Sequence, residues 1–161
     1  MTTARALLPA DEDAFIALLG EQIPLLASHL KFEPDVSRHY FRWVTAEDRE
    51  GYCLFGAFQD GELVGYGLAT SAFEFFTRAK SATLEIIYVR KESRGSFAAV
   101  RLMGFYEAWA QKEGAITQYV GVNHGVEAEK SLQFFEACGF APAGAIARKI
   151  HGEHHATAAA A

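Results

Sequence analysis

The chain has 161 residues, half of them hydrophobic, and a formal net charge of −5. That length and composition fit one globular domain with its own core and exclude disordered and fibrous classes. No apolar run approaches the ~20 residues that span a bilayer, and no Lys/Arg-rich run offers the basic face that nucleic-acid binding needs, so neither is an expected partner.

The opening Met1-Thr2-Thr3-Ala4-Arg5 lacks a signal-peptide pattern, and a cytoplasmic location is expected. Ala4–Leu8 reads as a first strand that Pro9 stops. Asp11-Glu12-Asp13 supplies carboxylates to a helix N-terminus, Phe15, Leu18 and Leu19 recur at helical spacing, and Pro24 is expected to interrupt. A second helix is expected from Pro34-Asp35, with Val36, Tyr40, Trp43 and Val44 on one side. Tyr52–Phe58 and Leu63–Phe73 are strand-like runs around Asp60-Gly61, a hairpin signal. Gly65 and Gly67 share a face of the returning strand, which predicts close approach of another backbone or a ligand.

After a loop over Glu74–Lys80, Thr83–Val89 has high β-propensity. Arg90–Ser96 is polar, and Ala99, Leu102, Met103, Tyr106 and Ala110 then mark an amphipathic helix that Gly114 ends. Thr117–Val122 reads as a strand, Asn123-His124-Gly125 as a turn, and Glu127–Cys138 as a helix closed by Gly139. Phe140 and Gly144–Ile150 make the last β segments. Strand–helix–strand units imply right-handed crossovers and parallel pairing, and the hairpin adds an antiparallel half. The expectation is a mixed α/β sheet covered by helices, as one domain over residues 1–150. Residues 151–161, with His151, His154 and His155, read as a flexible tail, and a stray metal ion is the other reading of those histidines. No metal site is expected.

The loop Arg94-Gly95-Ser96-Phe97-Ala98-Ala99 leads from a strand directly into a helix. The first N–H groups of a helix lack internal partners and sit in positive potential, so small residues there let an anion approach. Many such junctions bind nothing, and the local signal alone does not decide.

Leu84-Glu85-Ile86-Ile87-Tyr88-Val89-Arg90 through Gly95 resembles the fourth strand and cofactor loop of GNAT-type N-acetyltransferases, and Phe134–Phe140 resembles their later helix with its Gly-Phe ending. The hairpin at Asp60-Gly61 and the opening Leu8-Pro9-Ala10-Asp11 fit the same order, so the resemblance covers residues 4 to 150. It is strongest to a phage- and bacterium-associated subgroup whose loop continues as Ala-Ala-Val-Arg-Leu, here Ala98–Leu102. The resemblance implies a mostly antiparallel mixed sheet with one splayed parallel pair, and acetyl-CoA as cofactor. It places the pyrophosphate over Arg94, Gly95, Ser96, Phe97, Ala98 and Ala99, the pantetheine arm on the backbone of Tyr88 and Val89, and adds Asn123 and Phe135 to the cofactor site.

Two positions depart from the family pattern. Phe97 stands where an inner glycine is usual, so its side chain must point away from phosphates. Phe135 stands where many relatives carry a tyrosine acid, and a thiol with a pKa near about 8.5 leaves tolerably without one.

Glu85, a carboxylate in a strand expected to be covered, is the candidate general base, since burial raises a carboxyl pKa toward a useful range. A pairing with Arg or Lys, or an edge position, is the other reading. His39, His124 and Tyr119 fit surface or core roles. Trp43 and Trp109 fit packing, and Cys53 and Cys138 fit buried thiols. The leading functional reading is acetyl transfer from acetyl-CoA to a small-molecule or protein amine by direct attack. A CoA-binding module with little catalysis and an interaction protein are the alternatives. Phe73, Phe75 and Phe76 leave a homodimer open.

Overall fold

The computed structural model describes residues 1–27, 30–47, 49–121, 127–144 and 149. Among them run β1 (Thr2–Ala6), α1 (Glu12–Leu26), α2 (Pro34–Val44), β2 (Tyr52–Gln59), β3 (Glu62–Phe73), β4 (Lys80–Val89), α3 (Ala98–Lys112), β5 (Ala115–Val120) and α4 (Ala128–Ala137). Short 3-10 turns lie at Pro9–Asp11 and Lys91–Ser93. The strands form one sheet in chain order, antiparallel from β1 to β4 and parallel at β4–β5.

The number of intervening helices sets each direction. One helix, α3, returns the chain so that β5 runs with β4. Two helices lie between β1 and β2, so β2 runs against β1 and only one strand–helix–strand unit gives the parallel pairing expected. At the hairpin, Asp60 (φ 50) and Gly61 (φ 89) both take positive φ, the requirement of a two-residue turn matched to strand twist.

Each sheet face carries its own core. On one side Cys53, Phe55, Ala57, Val64 and Leu84 pack under α3 through Leu102, Met103, Tyr106 and Ala110, with Phe135 of α4 added. On the other, Leu54, Phe58, Tyr66, Leu68 and Tyr88 meet Phe15, Ile16 and Leu18 of α1 and Phe41 and Val44 of α2. The α3 stripe is the one its periodicity predicts. No helix among the described residues is long and apolar enough to cross a membrane.

Several local expectations change. The first strand is Thr2–Ala6 rather than Ala4–Leu8, because Leu7 turns into the core and Pro9 opens a 3-10 turn. Pro24 does not interrupt α1, which runs to Leu26: so near the C-terminus the missing N–H costs one bond, and Ala27 still donates to Ile23. On α2 the buried residues are Phe41 and Val44, with Val36 and Tyr40 exposed, because Phe41 turns onto Phe15 of α1 at 5.3 Å. Phe140–Gly144 forms no strand, and the rest of the expected last β segment, with residues 151–161, lies outside the described residues apart from Lys149.

The close approach read from Gly65 and Gly67 is real and internal. A Cβ at Gly65 would meet the Tyr88 carbonyl oxygen at 2.6 Å, and one at Gly67 would meet the Phe55 ring at 2.3 Å. At Gly65 the neighbour is backbone and cannot yield, so Gly65→Ala is expected to destabilise by about 1–3 kcal/mol in urea denaturation.

Glu12 ties α1 to α2, accepting from Arg42 Nε and Arg38 at 2.8 Å each. Arg42 first, then Arg38, hold its carboxyl from an ordinary 4.5 down to about 2. A depressed folded pKa contributes stability above the unfolded value, and that contribution is lost as pH falls from 4.5 through about 2. The melting temperature of Glu12→Gln is therefore expected to lie below wild type at neutral pH, with the gap closing across that acid window.

Candidate active site

Among the described residues β4 pairs with β5 from Lys80↔Ala115 to Leu84↔Val120 and no further, yet β4 continues to Val89 on its β3 side. Just before the strands part, the buried Tyr106 hydroxyl of α3 lies 2.9 Å from the Ala82 carbonyl and 3.0 Å from the Tyr119 carbonyl. It donates between the two strands where their own ladder is ending. Beyond it, one side of β4 opens into a gap.

Which peptide groups face that gap follows from the ladder's phase. The Arg90 N–H donates to the Val64 carbonyl, so Tyr88 and Ile86 also turn toward β3, and Ile87 and Val89 turn toward the gap. The Val89 carbonyl accepts from Arg94 Nε at 3.2 Å. Of the expected pair, Val89 faces the gap while the Tyr88 backbone pairs with β3, and Ile87, which the reading of the sequence did not name, also faces the gap. Gap-facing groups must be two residues apart, and that alternation is the signal that finds Ile87.

The loop before α3 is braced from both ends. Arg94 donates to Glu127 at 2.8 Å, and Lys130 donates to the same carboxylate at 2.8 Å. Gly95 has φ +85, and a Cβ there would meet nothing within 4 Å, so the glycine answers a backbone conformation rather than a lack of room. Ser96 Oγ donates to the Ser93 carbonyl at 2.6 Å and accepts from the Ala98 N–H at 3.2 Å. That cap occupies Ala98, whereas the N–H groups of Phe97, Ala99 and Val100 find no acceptor among the described residues. Phe97 is 72% exposed, so its ring stands in solvent and does not fill the loop.

Glu85 has no partner on β3: the register steps from Leu68↔Ile86 to Ala69↔Leu84 and leaves it as a β-bulge. The extra residue explains why Leu84 belongs to the α3-side core and Ile86 packs on the α1/α2 side. Strict alternation would put both on one face. The covering expected around Glu85 is absent; its side chain is exposed, and its carboxylate accepts from Thr70 Oγ1 at 2.8 Å. The bulge aims this carboxylate next to the stretch where β4 is open.

Across the sheet Thr70 pairs with Tyr52, and the Tyr52 ring meets Trp43 edge-on at 5.0 Å. Trp43 in turn lies 5.6 Å from Tyr40. Partial burial, then the neighbouring Tyr52 and Glu85, raise the Tyr40 pKa and keep its hydroxyl protonated.

Residues 18–140 match the family model described as the acetyltransferase (GNAT) family. The chain belongs to that family. Among solved structures it is similar to glucosamine-6-phosphate N-acetyltransferase from Arabidopsis thaliana, with 17% identity and a TM-score of 0.75, over 94% of this chain and 99% of that one. It is also similar to an aminoglycoside N-acetyltransferase in complex with CoA, with 16% identity and a TM-score of 0.76, over 93% and 94% of the two chains. A third is ribosomal-protein-alanine N-acetyltransferase from Brucella melitensis, with 20% identity and a TM-score of 0.72, over 94% and 100%. At these identities the likeness shows the shared fold. No curated protein matches the chain.

In this GNAT chain the remaining candidates sit apart from the gap chemistry. Phe135 is buried in the α3-side core, its ring 5.7 Å from Phe134. Asn123 and His124 lie outside the described residues. His39 and Tyr119 are exposed, and Trp109 packs against the α3-side core. Trp43 packs against the α1/α2-side core as expected and is half-buried, its ring also part of an aromatic row. Burial pushes the Cys53 thiol up to about 12 and raises Cys138 as well, so neither is a poised nucleophile.

Two buried bonds shape this GNAT site and can be removed singly. Tyr106→Phe leaves two strand carbonyls without their donor and is expected to cost about 1–3 kcal/mol in chemical denaturation. Ser96→Ala removes the hydroxyl that bridges the Ser93 carbonyl and the Ala98 N–H and is expected to cost about 0.5–1.5 kcal/mol in the same assay.

Proposed function

We propose that this chain is an N-acetyltransferase that moves an acetyl group from acetyl-CoA to a primary amine by direct attack, with Glu85 as general base. The observation that carries the reading is the meeting of three features at the open end of β4: gap-facing peptide groups at Ile87 and Val89, an anion-ready loop at Gly95–Ala99, and a carboxylate re-aimed by a bulge.

The residues present fit the cofactor. The N–H groups of Phe97, Ala99 and Val100, which find no acceptor among the described residues, suit a pyrophosphate, none of the described residues stands over Gly95, and the exposed Phe97 ring leaves the loop open. The gap-facing groups of Ile87 and Val89 suit an amide-bearing arm laid along β4 like an added strand. Bound there, acetyl-CoA supplies the activated thioester that an amine attacks.

An alkylammonium, with a pKa near about 10, must lose a proton before it is a nucleophile. Glu85 accepts that proton directly or through water, and its exposure gives the acceptor access. Thr70 holds the carboxylate in place through its hydroxyl. The N–H groups of β4 that face the gap stabilise the oxyanion. Phe135 offers no proton, so the leaving group departs as a thiolate.

The test is steady-state kinetics of CoA release with an amine panel, together with acetyl-CoA binding. Glu85→Gln is expected to lower kcat by about 10²-fold, within the range of general-base catalysis, while leaving acetyl-CoA affinity within about twofold. Unchanged kinetics would remove Glu85 from the mechanism. Acetyl-CoA binding with no product from any amine would instead favour a CoA-binding module, the reading that the apolar Phe135 suggests.

A further inference from the structure

Resting on the acetyltransferase reading, we infer that the acceptor is a monocationic primary amine with an aryl or alkyl body, seated on the row Tyr40–Trp43–Tyr52 with its nitrogen toward Glu85. The row is continuous with the base: Glu85 is bonded to Thr70 at 2.8 Å, Thr70 pairs with Tyr52, and Trp43 and Tyr40 come next at 5.0 and 5.6 Å. Tyr40 feels the charge of Glu85, which closes the row back onto the carboxylate. Both tyrosines are 39% exposed, an unusual display of apolar ring surface directly beside a proposed base.

Charge decides between acceptor classes. A polycationic acceptor needs several available carboxylates, and on this side of the sheet those of α1 are taken. Arg38 and Arg42 hold Glu12, Arg38 also holds Asp13 at 2.7 Å, and Arg90 holds Glu21 and Glu62. Glu85 pairs with no cation among the described residues. The Arg49 guanidinium lies 4.8 Å from the Trp43 ring centre and repels a second positive charge from that part of the row. One cationic nitrogen at Glu85 and an apolar body against the rings use the carboxylate and the row together.

The experiment uses the full chain with acetyl-CoA and three probes: 2-phenylethylamine, kanamycin and an Ala-terminated peptide. The value of kcat/KM for 2-phenylethylamine is expected to exceed the other two by about tenfold or more. Tyr40→Ala and Trp43→Ala, checked for wild-type melting, are expected to raise its KM by about tenfold with kcat and the acetyl-CoA KM within about twofold. Titration of 2-phenylethylamine against the neutral 2-phenylethanol, without CoA, reads the amine seat independently of catalysis, and the amine is expected to bind about tenfold more tightly. Preference for kanamycin or the peptide, an unchanged KM in both variants, or equal binding of amine and alcohol would overturn the inference while leaving acetyl transfer standing. Failure of acetyl-CoA to bind or be consumed, with the amine still seated by titration, would instead remove the acetyltransferase reading.

Discussion

The structure depends on the point at which β4 and β5 stop pairing. Up to Leu84 and Val120 the two strands share a parallel ladder; beyond it β4 has no strand partner on that side among the described residues. An unpaired stretch within a sheet leaves strong donors and acceptors unmet, and such groups are costly unless something meets them. The Tyr106 hydroxyl, delivered by the buried stripe of α3, adds a contact between the strands near the end of that ladder, at Ala82 and Tyr119. Past the ladder, Ile87 and the Val89 N–H face the side of β4 that has no strand partner among the described residues, and the Val89 carbonyl accepts from Arg94. The same helix that makes the α3-side core therefore also marks where the opening begins.

The bulge at Glu85 is the second half of this arrangement. Without it, Leu84 and Ile86 would share a face, and one of the two cores would lose a side chain. With it, both cores are filled and a carboxylate is left on the α1/α2 side, beside the end of the β5 ladder. Packing and chemistry are met by one inserted residue, in keeping with the tendency of bulges to lie near active sites. The loop on the other side of the gap is built by short-range bonds, Ser96 to Ser93 and Ala98, and is tied to α4 through Arg94 and Glu127. The proposed phosphate-binding loop and the proposed base are thus both positioned by β4, one on the strand and one just after its end.

Much of this was legible in the sequence, for reasons that are local. The hairpin at Asp60-Gly61, the α3 stripe and the Gly95 loop each announce themselves by turn chemistry or by 3.6-residue spacing. Long-range consequences were not legible. Glu85 sits between apolar neighbours and reads as covered, because no glycine or proline marks the bulge that exposes it. Trp43 reads as packing from its helical spacing on α2 and does pack on that core, but its ring contacts with Tyr52 on β2 and Tyr40 on its own helix carry no local signal. The phase of β4 depends on one bond, Arg90 to Val64, that no local pattern encodes. The family membership is secured by the match over residues 18–140, and the distant solved relatives share its fold at no more than 20% identity. The acceptor must therefore be argued from this chain's own side chains.

The central claim is that the open side of β4 and the loop before α3 form one cofactor seat. Isothermal titration of the full chain with acetyl-CoA, CoA and a free adenine nucleotide tests it most directly. Micromolar binding of acetyl-CoA and CoA is expected, with the adenine nucleotide at least about tenfold weaker because it lacks the arm that lies along Ile87 and Val89. Equal affinity for all three would mean that the gap contributes nothing, and no binding at all would contradict the seat altogether.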